Sequence, residues 1–321
     1  MVYDVVAMGE LLIDFTPAGV SNAGQQLFEQ NPGGAPANVL TAIARLGKTG
    51  AFIGMVGNDQ FGIFLKEVLK KNKIDDTGLK ISKEVPTTLA FVHLKSEGER
   101  SFSFYRNPGA DMMISENDLN LSIIKSCRIF HFGSISLTSG PSRNATYLAV
   151  KVAKTNGSII SYDPNYRPLL WQSEEEAVST MKSGLQGVDI IKVSEEELEL
   201  LTGTNNLEKG SAMLYEKGIS VIMITLGSKG SFYHYAGGIG LIPGFNVKAV
   251  DTTGAGDAFM GGALYWFSTM KLEEIQKLSR NQFERIIRFS NAMGALTTIR
   301  TGSIPAIPGF DMVKDYLRTL E

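Results

Sequence analysis

The 321-residue sequence contains a single cysteine, Cys127, so no internal disulfide can form. Cys127 borders an apolar, strand-like run and reads as a small core residue rather than a nucleophile. The three histidines, His93, His131 and His234, share no metal-ligand spacing, and a zinc site is not expected. Apolar runs stop well short of the roughly 18 residues a membrane span needs. The N-terminal Met1-Val2-Tyr3-Asp4 has no basic region and enters an apolar strand directly, so no signal peptide is expected and a cytoplasmic protein follows by elimination. Net charge is only −2, which supports no extended nucleic-acid surface. The basic cluster Lys70, Lys71 and Lys73 ends a predicted helix and complements its dipole. Repeats, low-complexity tracts and clear linkers are absent. No Gly-x4-Gly-Lys-Ser/Thr loop occurs, which excludes P-loop chemistry. No Gly-x-Gly-x-x-Gly follows the first strand, which leaves a dinucleotide oxidoreductase weakly supported.

What the sequence does hold is a rhythm. Hydrophobic residues make up 43% and charged residues 20%, the balance of a globular protein. Strand-like runs at 5–8, 51–56, 129–132, 159–162, 190–193 and 221–226 alternate with helix-like runs at 36–46, 61–71, 142–155, 174–185, 195–202 and 207–217. Long helical stretches at 255–269 and 282–298 close the chain. This βαβα order predicts an α/β fold, a doubly wound, mostly parallel sheet flanked by helices, spanning 1–321 as one domain. One segment breaks the order. Residues 87–94 and 101–105 read as two strands joined by a turn at Ser96-Glu97-Gly98-Glu99. They predict a small antiparallel β lid, formed by about 86–107 with an extended piece from about 15–30. Phe102 and Phe104 share a face of it, which is expected to be buried against the body or a second copy.

In such a sheet ligands bind beyond the carboxyl ends of the strands. The polar residues Asp14, Asn38, Arg167, Glu197, Gly227 and Asp257 all follow predicted strands, some at the start of the next helix. The sharpest constellation is Asp251-Thr252-Thr253-Gly254-Ala255-Gly256-Asp257. Two glycines at the mouth of a long helix free backbone N–H groups to face an anion, and the helix dipole reinforces them. A carboxylate at Asp257 would either cap that helix or serve as a general base beside the anion.

Asp251–Asp257 resembles the C-terminal signature of the PfkB/ribokinase family of carbohydrate kinases, and Asn31-Pro32-Gly33-Gly34-Ala35-Pro36-Ala37-Asn38 resembles its N-terminal signature. Asp163-Pro164-Asn165-Tyr166-Arg167-Pro168-Leu169-Leu170-Trp171 and Phe104-Tyr105-Arg106-Asn107-Pro108-Gly109-Ala110-Asp111 are similar to its fructokinase branch. The matches run from Gly9-Glu10 to Gly302 in the family's order. The resemblance implies a ribokinase-like fold and ATP-dependent phosphorylation of the 6-hydroxyl of D-fructose. The related 2-dehydro-3-deoxygluconate kinase activity is the alternative. A non-catalytic sugar-binding sensor should have lost Asp257 or the helix-mouth glycines, and all are present.

The same resemblance implies roles. Asp257 would be the base, with Gly254, Ala255 and Gly256 as the anion hole and Arg167 reaching the transferred phosphate. Asp14, Gly33, Gly34, Asn38, Tyr105 and Arg106 would hold the sugar, the last two moving with the lid. Lys192, Ser194, Thr225, Gly227, Ser228, Gly230 and Asn291 would meet ATP. Glu197 would orient a hydrated Mg2+, in an Asn-x-x-Glu motif whose first position is Ser194 here. Glu195 and Glu196 beside it read as a solvated helix face. A potassium ion would sit among Asp251, Thr253, Thr297, Arg300 and Gly302. A homodimer through the lid completes the expectation.

Overall fold

Apolar runs without polar alternation, such as Val5-Val6-Ala7-Met8 and Val221-Ile222-Met223-Ile224, make stable strands only where both sheet faces are covered. A computed structural model, which describes residues 2–94 and 100–320, shows that arrangement. Its strands are β1 (Tyr3–Met8), β2 (Leu12–Val20), β3 (Gln26–Gly33), β4 (Gly50–Gly57), β5 (Asp75–Ser82), β6 (Leu89–Leu94), β7 (Arg100–Tyr105), β8 (Cys127–Gly133), β9 (Ile159–Asp163), β10 (Ile190–Ser194), β11 (Val221–Thr225), β12 (Gly230–Tyr235) and β13 (Gly238–Pro243).

The large sheet has the order β13-β12-β11-β10-β9-β8-β1-β4-β5. From β11 to β5 neighbouring strands are parallel, and β12 and β13 extend one edge antiparallel. Alternate residues of each strand feed two cores. Val6, Met8, Phe130 and Ile222 pack under the helices Gly140–Thr155 and Glu195–Thr202. Val5, Ala7, Ile129 and Met223 pack under Ala35–Arg45, Ala255–Phe267 and Arg280–Thr297. The chain leaves β1 toward β4 in one direction and returns to β8 on the other side. This reversal opens a crevice at the carboxyl ends of the central strands.

The predicted parallel strands and long helices are all present within a few residues. Three strands were not foreseen. β5 mixes polar and apolar residues at the sheet edge, and β12 and β13 form a hairpin where a helix-linked rhythm gave no cue. His131, central in β8, is buried against Ser161 Oγ at 2.9 Å, and burial lowers its pKa to about 3, so it is a neutral core residue. Burial likewise raises the Cys127 thiol to about 11.

The small sheet has the order β3-β2-β6-β7. Its two hairpins are antiparallel, but β2 and β6 pair in parallel, so the sheet is mixed rather than antiparallel as expected. The reason is topological: β2 leaves the body directly from β1, and β6 leaves it after β5, in the same direction. The turn expected at Ser96–Glu99 and the side chain of Phe102 lie outside the described residues. Phe104 faces a cavity of the body. The broad aromatic face is the opposite one. There Phe15 stacks on Phe91, and Phe28 and Tyr105 meet Phe91 edge-on.

Candidate active site

The helix Ala255–Phe267 begins at Gly254, which adopts φ 77°, a left-handed conformation that suits glycine. A Cβ there would also stand 2.8 Å from the Ser303 side chain. No side chain caps this helix, so its first-turn N–H groups point out of the helix mouth without an intrahelical partner. Ala255 N–H turns back to Thr252 O at 3.3 Å, which leaves Gly256 and Asp257 as the residues that present the mouth.

Two cavities meet there. One, of about 480 Å³, is lined by Glu10, Asp14, Asn38, Arg167, Lys192 and Asp257, among others. The second, of about 640 Å³, is lined by Thr225, Gly227, Ser228, Gly230, Asn291 and the 244–249 segment. Thr252 and Gly256 line both, so the helix mouth is a shared wall. Asp257 faces only the first cavity.

Asp257 is buried, and both its oxygens are held by amides. Asn38 Nδ2 donates to Oδ2 at 2.7 Å, and Asn165 Nδ2 donates to Oδ1 at 2.9 Å. Asn38, expected to hold the sugar, therefore also holds the candidate base. Asp14, at the start of β2, is pushed up to about 7 by burial; the Arg167 guanidinium opposes this and Asp251 and Asp257 add to it. Gly33 lies across the strand pair, and a Cβ on it would stand 2.2 Å from Asp14 Oδ2. Gly34, at φ 116°, lines the cavity where the backbone must come close. Arg167 is exposed at the rim, with Nη1 donating to Tyr166 O at 3.0 Å.

Beneath the wall, Lys192 forms a buried ion pair with Asp163 at 2.8 Å, and a Cβ on Gly256 would stand 2.9 Å from its Nζ. Desolvation works against the Lys192 charge, but Asp163, Glu197 and Asp257 outweigh it and raise its pKa. Lys192 and Ser194, expected to meet ATP, line the first cavity beside the shared wall. The Ser194 hydroxyl accepts from Glu197 N at 3.1 Å in a capping box. Glu197 is 5% exposed, and its oxygens accept from Tyr166 N and Ser194 N, both at 2.7 Å. Its remaining lone pairs face the cavity, with Glu196, exposed as expected, at the rim. Among the described residues no group of three His, Cys, Asp or Glu could hold a metal ion. A donor set this sparse suits a cation that keeps its waters.

Asp251 Oδ1 accepts from Thr253 N at 2.9 Å and Oδ2 from Gly302 N at 2.9 Å, and its own N–H donates to Thr298 O at 3.0 Å. The loop before the helix mouth is therefore stitched to the 297–302 turn, which carries Thr297 and Arg300. Thr297 is fully buried, its hydroxyl donating to Met293 O at 2.9 Å.

Three expected ligand contacts have protein partners in the structure or face outward, although Asn291 also lines the second cavity. Arg106, expected to hold the sugar, is buried in the structure, with Nε donating to Asp111 Oδ2 at 2.8 Å and Nη1 to Thr138 Oγ1 at 2.9 Å. A guanidinium taken out of water needs such partners, and Asp111 supplies them from just beyond the hairpin. Tyr105 is 66% exposed on the outer aromatic face, because strand alternation sends Phe104, not Tyr105, toward the cavity. Asn291 accepts from Ser231 Oγ at 2.9 Å and donates to Ile242 O at 3.1 Å, so its amide ties the β12–β13 hairpin to the Arg280–Thr297 helix.

Glu10 was not singled out by the sequence reading. It follows β1 and is 2% exposed, with Oε1 accepting from Ala35 N at 2.7 Å and Oε2 buried without a hydrogen-bond partner. Burial raises its pKa to about 7; backbone hydrogen bonds oppose this, Asp111 adds to it and Arg106 opposes it. A lone acid interrupting the apolar run 5–13 is the signal that marks it. Asn165 stood inside a quoted motif without a role, and its backbone φ of 48° is the clue only coordinates give.

The chain belongs to the pfkB family of carbohydrate kinases, whose sequence profile it matches over residues 3–309. It is 47% identical over 309 residues to the probable fructokinase-2 of Arabidopsis thaliana, covering 95% of this chain and 92% of that one. Its fold is similar to the Xylella fastidiosa fructokinase with bound ATP, at a TM-score of 0.91, 32% identity and 99% coverage of both chains. It is also similar to the Vibrio cholerae fructokinase in its fructose, ADP and calcium bound form, at a TM-score of 0.88, 36% identity and 98% coverage of both chains.

Glu10 titrates higher in the folded chain than its ordinary 4.5, so it stabilises the fold below about pH 4.5 and that contribution is lost as pH rises toward about 7. Glu10→Gln is expected to raise the melting temperature at pH 8, by up to about 3 kcal/mol of stability, with the gain vanishing near pH 4. Asp111→Ala leaves a buried guanidinium unpaired. Denaturant titration is expected to show a loss of about 3–5 kcal/mol.

Proposed function

We infer that the protein is an ATP-dependent fructokinase that transfers the γ-phosphoryl group to the 6-hydroxyl of D-fructose. The observation that carries this reading is the shared wall: an acid facing one cavity, a nucleotide-sized cavity behind it, and a helix mouth between. Sugar in the first cavity would meet the terminal phosphate of ATP from the second at Gly256. Asp257 accepts the proton of the 6-hydroxyl as its oxygen bonds to the γ-phosphorus, and the bond to the bridging oxygen breaks to release ADP. The helix-mouth amides face the charge on the migrating group, and Arg167 reaches it from the rim. Magnesium would neutralise the triphosphate, held by phosphate oxygens and by waters that Glu197 orients. Potassium would take carbonyl oxygens of the 251–253 and 297–302 segments, which Asp251 holds together. We read the whole chain, 1–321, as one catalytic domain with the small sheet as its lid, working in the cytoplasm where ATP is supplied. No helix among the described residues is long and apolar enough to cross a membrane.

A neutral sugar suits the first cavity better than 2-dehydro-3-deoxygluconate. Glu10, Asp14, Asp257, Glu196 and Glu197 line it; of the cations, Arg167 stands at the rim where it is assigned to the transferred phosphate, Lys192 is paired with Asp163 and Arg106 is locked on Asp111. A substrate carboxylate would meet an acidic wall. A non-catalytic sensor is disfavoured by the intact acid and helix mouth.

A coupled ADP assay tests the reading: turnover with D-fructose is expected to exceed that with 2-dehydro-3-deoxygluconate, and Asp257→Asn to lower kcat about 10²–10⁴-fold. Near-normal turnover in that variant removes the base assignment. The outer face of the lid, with Phe28 37% and Tyr105 66% exposed, supports a homodimer. Sedimentation is expected to give twice the 34.9 kDa chain mass, and Phe28→Glu to give the monomer.

A further inference from the structure

Asp257 is gripped by two amides from separate parts of the chain: Asn38 in the Ala35–Arg45 helix and Asn165 in the turn after β9. Asn165 reaches it from an unusual backbone. Its φ is 48°, in the left-handed region that a non-glycine residue seldom occupies, and it is 7% exposed. Its N–H donates to Asp163 Oδ1 at 3.2 Å, and Asp163 is itself bound to Lys192, so the turn is anchored on a buried ion pair. Glycine would meet the backbone requirement alone, but it would supply no amide.

The chemistry of the grip suits a base. Each carboxylate oxygen has two lone pairs, and each amide occupies one. The carboxylate cannot rotate without breaking a buried hydrogen bond, so its free lone pairs keep one orientation. Each amide is a fixed single donor, so it sets the direction of one lone pair and leaves the other open.

We propose that Asn165 is a positioning residue for the base, its side-chain amide fixing the Asp257 carboxylate against Asn38 so that a free lone pair meets the sugar hydroxyl. The proposal rests on Asp257 being the base. Asn165→Gly separates the two roles of the residue, because glycine adopts φ 48° without strain and removes only the amide. Expected is a fall in kcat of about 10–100-fold, the scale of a misplaced reacting group, with KM for sugar and ATP within about two-fold of wild type and the melting temperature unchanged.

Wild-type kcat in Asn165→Gly, alongside an inactive Asp257→Asn, overturns the proposal and leaves the base assignment standing. Near-normal turnover in Asp257→Asn overturns both. If Asn165→Gly melts early, Asn165→Asp, which keeps the shape but sets a carboxylate against Asp257, is read instead. A comparable loss of kcat in that folded variant upholds the proposal, and wild-type kcat overturns it.

Discussion

Asp257 is a carboxylate buried in the first turn of a helix, and stretches of chain far apart in sequence are drawn together around it. Burial disfavours the charged form of an acid, and a helix N-terminus together with fixed hydrogen-bond donors favours it. Asp257 sits in the first turn of its helix and accepts hydrogen bonds from two side-chain amides. These groups come from three distant stretches of chain, around residues 38, 165 and 254–257. The sheet reversal between β1 and β8 brings those stretches to one place. Fold and site are thus one problem: the strands must be covered on both faces for the crevice at their ends to exist at all.

Elsewhere in the cavity the same rule runs the other way. Glu10 is buried with one oxygen unpartnered among the described residues and Asp14 is half-buried, and both are raised toward neutrality, about 7 in each case. A chain selected for stability alone would fill such positions with amides or apolar groups. Acceptors left without donors are what a polyol ligand completes, since each sugar hydroxyl can donate one hydrogen bond.

The parts of this picture legible in the sequence were those set by local chemistry. Continuous apolar runs such as 221–226 announced buried parallel strands, and Gly254 with Gly256 announced a helix mouth. What could not be read depends on partners far along the chain. Of the partners of Arg106, Asp111 ends the same motif, but Thr138 lies 32 residues on. Asn291 lines the second cavity, and its amide also meets Ser231 and the β13 backbone, 49 to 60 residues away. Alternation along β7 decides that Phe104, not Tyr105, faces inward, and the register that decides it is set by β6. The parallel pairing of β2 with β6 follows from where each strand leaves the body, which no local window contains.

The shared wall between the two cavities has a stereochemical consequence. In the proposed function donor and acceptor would occupy the two cavities that meet at Gly256, and the side chain beside the junction, Asp257, is tied at both oxygens. A carboxylate so tethered is badly placed to become a phosphorylated intermediate. On that reading transfer would take a single displacement with both substrates present together, and a chiral γ-phosphorus would leave with inverted handedness.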